Sequence, residues 1–179
     1  RGSVERIGMS ASVLTHKPHD RQQTMISQEI LDHIQAIDAV INILLSPKHG
    51  VISDKGEIHA VGHRVVHGGE RFTESVQVTQ EIKSEIRDLI SLAPLHNPHN
   101  IRGINAASAT LTDVPHVAVF DTAFHHKMPP HAYIYGIPYL LYKKYAIRRY
   151  GFHGPSHNYV TTKAAETMGK PIEELKLIS

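Results

Sequence analysis

Val117-Ala118-Val119-Phe120-Asp121 decides the fold: four consecutive apolar residues end on a carboxylate. A short unbroken apolar run is the pattern of a strand covered on both faces, as in a sheet packed between helices. The flanking sequence supplies the helices. Asn97 followed by Pro98 is a cap-and-first-turn pair and predicts a helix through Leu111. Thr79 predicts the cap of another, with Ile82, Ile86, Leu89 and Ile90 on its buried side. Further upstream, Ile26, Ile30, Ile34, Ile37, Ile41 and Leu44 recur at three- and four-residue spacing. They predict a long helix from Thr24, ended by Ser46-Pro47, after a polar loop or strand connection over residues 10–23. Gly56 opens a predicted strand, Glu57 to Val66, that closes in Gly68-Gly69. Downstream, Ser156 starts a predicted helix with Tyr159, Val160, Ala164 and Met168 inward, stopped by Gly169. Leu175 to Ser179 reads as the first residues of a further strand. Strands alternating with helices of this length give an α/β layered fold.

Composition narrows the class. A chain of 179 residues holds about one domain, or one and a fragment, and buries a sizeable core without a metal or disulfide staple. At 41% hydrophobic and 20% charged residues it is not a disordered chain. Nineteen Lys+Arg against seventeen Asp+Glu leave +2, too small a bias to argue for nucleic acid or an anionic membrane. The absence of cysteine excludes a disulfide framework, a thiol nucleophile and Cys-ligated zinc, and suits a reducing cytoplasm. No apolar run approaches a membrane span, and no charged-then-apolar signal opens the chain. Arg1-Gly2-Ser3 reads as a chain entered mid-sequence. After Phe124 the composition shifts: Pro129, Pro130 and Pro138 punctuate a segment to Tyr150 that holds six of the seven tyrosines. We therefore expect a boundary near residue 125, with residues 1–125 in one domain and 126–179 beginning a second.

Four places carry candidate chemistry. Asp121 stands at the carboxyl end of the apolar strand, where α/β sheets face their ligands, although an Asp there also caps turns. Arg64 lies inside the apolar strand Ala60 to Val66, so its guanidinium must meet a carboxylate or bind an anion. His67-Gly68-Gly69 lets a backbone approach a ligand closely, or simply marks a turn. Gly151-Phe152-His153-Gly154 precedes a helix, where a His can donate to charge on a phosphoryl or acyl oxygen, or pack locally. Fifteen histidines raise the question of a metal. His63/His67 and His153/His157 are four apart, yet neither pair encloses the Glu of a His-Glu-x-x-His helix, so no metal site is expected. Neither a Gly-x-Ser-x-Gly elbow nor a Walker A loop occurs. Lys143-Lys144 and Arg148-Arg149, interleaved with tyrosines, read as a solvated face rather than an RNA site.

Read together, Gly62 to Glu70, Ala93 to Pro98, Val119 to His125 with Met128-Pro129, and Arg149 to Gly154 resemble the acetate/propionate/butyrate kinase family, in the right order and over nearly the whole chain. The resemblance implies a two-domain acetate-kinase fold of the sugar kinase/Hsp70/actin superfamily. It implies an ATP-dependent phosphotransferase that moves a phosphoryl group reversibly between ATP and acetate, giving acetyl phosphate and ADP, with Mg²⁺. It also implies a homodimer for the full-length enzyme. Carried over by motif, Arg64 holds the acetate carboxylate or the phosphoryl group, and Asp121 is the catalytic acid/base or an orienting carboxylate. His153 stabilises charge on the phosphoryl group, His96 lies near its path, and Val66, Leu95 and Phe152 surround the methyl group. The family's opening Asn-x-Gly-Ser-Ser-Ser-x-Lys turn does not occur in these residues. Its His-Leu-Gly-Asn-Gly phosphate loop, second essential Arg, adenosine pocket and Mg²⁺-holding Glu are likewise missing, and Pro155 stands where the family has Thr. The fold is thus expected to be incomplete in this chain, with little or no kinase activity from these residues alone. Propionate kinase is the rival within the family, since one methylene is worth only about 1–3 kcal/mol, and Val66 favours acetate. A non-catalytic folding or interaction module is the rival outside it.

Overall fold

The computed structural model describes Arg1–Ser179. Packing divides the chain into two compact units, Arg1–Val61 with Ile101–His116 and Gly62–Asn100 with Val117–Ser179. Position 125 lies inside the second unit.

In the first unit, β1 (Gly2–Glu5), β2 (Ser12–His16) and β3 (Thr24–Gln28) form an antiparallel sheet in that order. Helix α1 (His33–Leu44) begins behind Asp32, whose carboxylate accepts the Gln35 N–H at 2.9 Å. The helix predicted from Thr24 therefore starts nine residues later, since Thr24 to Gln28 pair with β2. Ile26 and Ile30 fit both a strand and a helical face, so apolar spacing did not separate the two. The buried side of α1 is Ala36, Ile41 and Ile43, while Ile34 faces solvent. Leu14, Ile30, Ile101, Ile104 and Leu111 complete this interior.

The second unit is built on β4 (Val61–Val65), β5 (Val76–Gln77) and β6 (His116–Phe120), in the order β4-β6-β5. β5 runs antiparallel to β6, with Val76 opposite Ala118. Between β4 and β6 the bonds advance in one sense: Val61 N–H donates to the Pro115 carbonyl at 2.9 Å and Asp121 N–H to the Val65 carbonyl at 3.0 Å. That is a parallel pair, so both strands deliver their carboxyl ends to one edge. β4 is shorter than the sequence suggests because Asp54 and Glu57 close a capping box around a 3-10 turn at Lys55–Glu57.

Helix α2 (Gln80–Asp88) starts at Thr79, whose hydroxyl accepts the Ile82 N–H, as the sequence predicts. Helix α3 (Asn97–Thr110) follows the Pro94 to His96 loop, and α4 (Pro130–Tyr133) and α5 (Tyr139–Tyr145) carry the Tyr-rich segment. Helix α6 (Gly154–Met168) ends at Gly169, left-handed at φ 62. It begins two residues before the predicted Ser156, with Pro155 in its first turn where a missing N–H costs nothing. Tyr159, Val160 and Met168, expected inward, are exposed, and Ala165 is the buried residue of that helix's later turns. Leu175 to Ser179 is irregular rather than a strand, with no neighbouring strand to take its backbone bonds. The unit's interior is Val65, Ile86, Ala118, Phe120 and Phe72, the last two stacked at 4.2 Å. No helix is long and apolar enough to cross a membrane.

Candidate active site

Asp121 is the first residue after β6, and its position is fixed through main chain and side chain together. Its N–H donates to the Val65 carbonyl, and its carbonyl accepts the Gly154 N–H at 2.9 Å. The carboxylate, 3% exposed, accepts from Arg64 Nε at 3.0 and 3.1 Å and from Arg64 Nη2 at 2.6 Å. Arg64 points from the open face of β4, so its side chain is 61% exposed rather than buried. The carboxylate holds the guanidinium above its ordinary pKa and fixes its plane, while Nη1 has no protein acceptor. Arg64 Nη2 also donates to His153 Nδ1 at 3.3 Å. Because a guanidinium only donates, Nδ1 must be the bare nitrogen, and the ring presents an Nε2–H. His153 stands in the left-handed region at φ 55, directly ahead of α6. A Cβ at the adjoining Gly154 would lie 2.6 Å from the Phe124 Cβ and 2.7 Å from the Asp121 carbonyl, so a side chain there would push the turn off the strand end.

Beyond Val65 the chain stays pinned without a neighbouring strand, because side chains replace the ladder. Asn97, fully buried, accepts the His67 N–H at 3.2 Å and donates to the His67 carbonyl at 3.0 Å. Asn100 Oδ1 accepts the Val66 N–H at 3.1 Å, and Thr122 Oγ1 accepts the Gly68 N–H at 3.0 Å. His67 is itself buried, and burial pushes its pKa down to about 4. Gly69 N–H donates to its Nδ1 at 2.9 Å, and its ring stands edge-on to Tyr150 and Phe152.

These elements border a cavity of about 380 Å³ lined by Val66, Leu95, His96, Asp121, Phe152 and His153, with His67 and the Leu92 to Pro94 loop. Six of the seven site residues expected from the sequence thus share one cavity. The seventh, Arg64, joins it through Asp121 and His153. Leu95 is 78% exposed and forms an open rim rather than a closed wall.

No local pattern in the sequence points to Asn97, Asn100 and Thr122 as clasps, and Asn97 reads only as a cap for α3. The basic Tyr-rich face also differs from expectation. Arg148 is not solvated: its side chain is 8% exposed, pairs with Glu70, and lies 3.6 Å from the Tyr133 ring centre. Tyr142 donates to the same Glu70 at 3.0 Å, and burial pushes the Tyr150 hydroxyl up to about 12.

Comparison with known proteins bears on all of this. Residues 1–179 match the Acetokinase family. The acetate kinase of Desulfitobacterium hafniense is 55% identical over 179 residues, which are 100% of this chain and 45% of that protein. The crystal structure of Porphyromonas gingivalis acetate kinase is similar with a TM-score of 0.90 and 41% identity, covering 96% of this chain and 43% of that one. A propionate kinase from Francisella tularensis subsp. tularensis has a TM-score of 0.85 and 37% identity over 94% of this chain and 42% of its own. The chain spans less than half the length of these relatives, and it has their fold over the part it spans.

Proposed function

The chain belongs to the acetokinase family, and from that premise we propose that its residues supply the acid-binding side of an enzyme that moves a phosphoryl group reversibly between ATP and acetate. The supporting observation is the hydrogen-bonded set Arg64, Asp121 and His153 at the edge of a small cavity whose other walls are Val66, Leu95 and Phe152. An acetate oxygen attacks the γ-phosphorus; the new P–O bond forms as the bond to the β–γ bridging oxygen breaks, and ADP leaves with that electron pair. Acetate is already ionised at neutral pH, so no proton need be removed. Asp121 then serves better as an orienting carboxylate than as a base, since both its oxygens accept from Arg64. Arg64 and the His153 Nε2–H supply donors to charge on the equatorial oxygens, which is most of what phosphoryl transfer asks of a protein. His96, exposed on the same cavity, stands near the phosphoryl path.

ATP with Mg²⁺ is the phosphoryl source in this proposal. With Asp121 committed to Arg64, these residues offer no cage of carboxylates for the cation. Residues 1–125 are read as most of the acid-side domain and 126–179 as the start of the nucleotide side. A cytoplasmic homodimer belongs to the same proposal. Steady-state kinetics of the whole enzyme with acetate and propionate tests it. We expect higher kcat/KM for acetate. Preference for propionate would move the assignment to the other branch represented among the structural relatives, and turnover of neither acid would refute it.

A further inference from the structure

His67 takes no part in the mechanism above, yet it is a buried polar side chain on the cavity. It is 3% exposed, Asn97 holds both its backbone groups, and Tyr150 and Phe152 stand edge-on to its ring with centres 4.4 and 5.4 Å away. Its tautomer follows from chemistry. The Gly69 N–H can only donate, so Nδ1 must be the acceptor and the ring proton sits on Nε2. Nε2–H has no protein acceptor, and no sealed side-chain nitrogen or oxygen in the structure is left without a partner. That N–H therefore reaches open space, and the space the ring borders is the cavity with Val66, Leu95 and Phe152.

The Gly69 N–H engages Nδ1 alone, a need that an acceptor without a second N–H would meet, so the Nε2–H is left for another partner. Arg64 spends Nε and Nη2 on Asp121, so the cavity otherwise has few fixed donors of its own. Burial among aromatic rings keeps the imidazole neutral and strengthens any bond it makes to an anion.

From this geometry we infer that His67 is a further substrate-binding residue, whose Nε2–H donates to an oxygen of the bound carboxylate and sets the orientation of the acid in the cavity. The inference rests on the function proposed above. It deepens that reading by giving the acid a second, uncharged contact on the same cavity.

The test compares His67→Asn and His67→Gln in the whole enzyme. Asn keeps an oxygen near Nδ1 for the Gly69 N–H but removes the far donor, whereas Gln extends an N–H toward the Nε2 position. We expect His67→Asn to raise the KM for acetate about tenfold or more with the KM for ATP unchanged, and His67→Gln to recover most of that loss. An unchanged acetate KM in His67→Asn, equal losses in both variants, or an ATP KM that rises in step would overturn the inference. Should the variants fail to fold, ¹⁵N-histidine NMR of the unsubstituted enzyme decides. Saturating acetate should move the His67 Nε2–H proton signal downfield, and a signal that stays in place refutes the contact. An unsubstituted enzyme that turns over no acetate sinks the function and this inference together; one that turns it over with a silent His67 sinks the inference alone.

Discussion

His67 and His153 border the same cavity, and each accepts a hydrogen bond at Nδ1 so that Nε2 carries the proton. The supports differ. His67 is buried, its bond comes from a backbone amide, and a fully buried Asn holds its main chain. His153 has a side chain 68% exposed, its bond comes from a partly exposed Arg, and its own backbone is left-handed. One ring is fixed at the expense of burying a polar group, the other at the expense of backbone strain. The first arrangement makes a buried donor, and the second an exposed donor held through Arg64.

The sharpest way to break this contrast is Asp121→Ala. It removes the carboxylate that sets the Arg64 plane and, through Arg64, the His153 ring. Turnover by the whole enzyme should fall about a thousandfold, measured as initial rate. A variant retaining most of its rate would mean the two sides of the cavity do not depend on this hub. Next in size is Asn97→Ala, which leaves the His67 N–H and carbonyl unpaired in the interior. We expect a stability loss of about 2–4 kcal/mol by denaturant titration, and a loss below 1 kcal/mol would place water where the amide stood.

Acid should test the burial of the His67 ring. His67 has a pKa of about 4 when folded against 6.5 as an ordinary histidine. Between those values the unfolded chain binds more protons than the folded one, so stability rises with pH. Lowering the pH from 6.5 to 4 should therefore remove up to about 3 kcal/mol. Thermal melts across that range check the slope, which His67→Gln should flatten. The smallest expected effect has the opposite sign. His153→Gly relieves a left-handed position and should stabilise the fold by about 1 kcal/mol while lowering turnover. A fall in Tm instead would show that ring contacts, not strain, dominate at that turn.

How much of this was legible in the sequence varies with the range of the interaction. Arg64 and Asp121 announced themselves because each breaks an apolar run, and the parallel pairing of β4 with β6 puts them at the same edge. Asn97 signalled only a helix start, since Asn before Pro is a local pattern while its bonds to His67 span 30 residues. At Thr24 to Gln28 the sequence predicts helix, because alternation over five residues yields to a longer isoleucine spacing. Charge alone predicts Arg148 in solvent. Its partner Glu70 is 78 residues away, and no local pattern foretells a pairing at that distance.

Val66 has its N–H held by Asn100 while its side chain forms part of the cavity wall. The tie that keeps the strand in place is thus carried by a residue other than the one that sets the room available. Exchanging Val66 for a smaller or larger aliphatic residue changes the space in the cavity without untying the chain. Room in the cavity is thus a quantity that single substitutions at Val66 can adjust, one methylene at a time, with the ties around it unchanged.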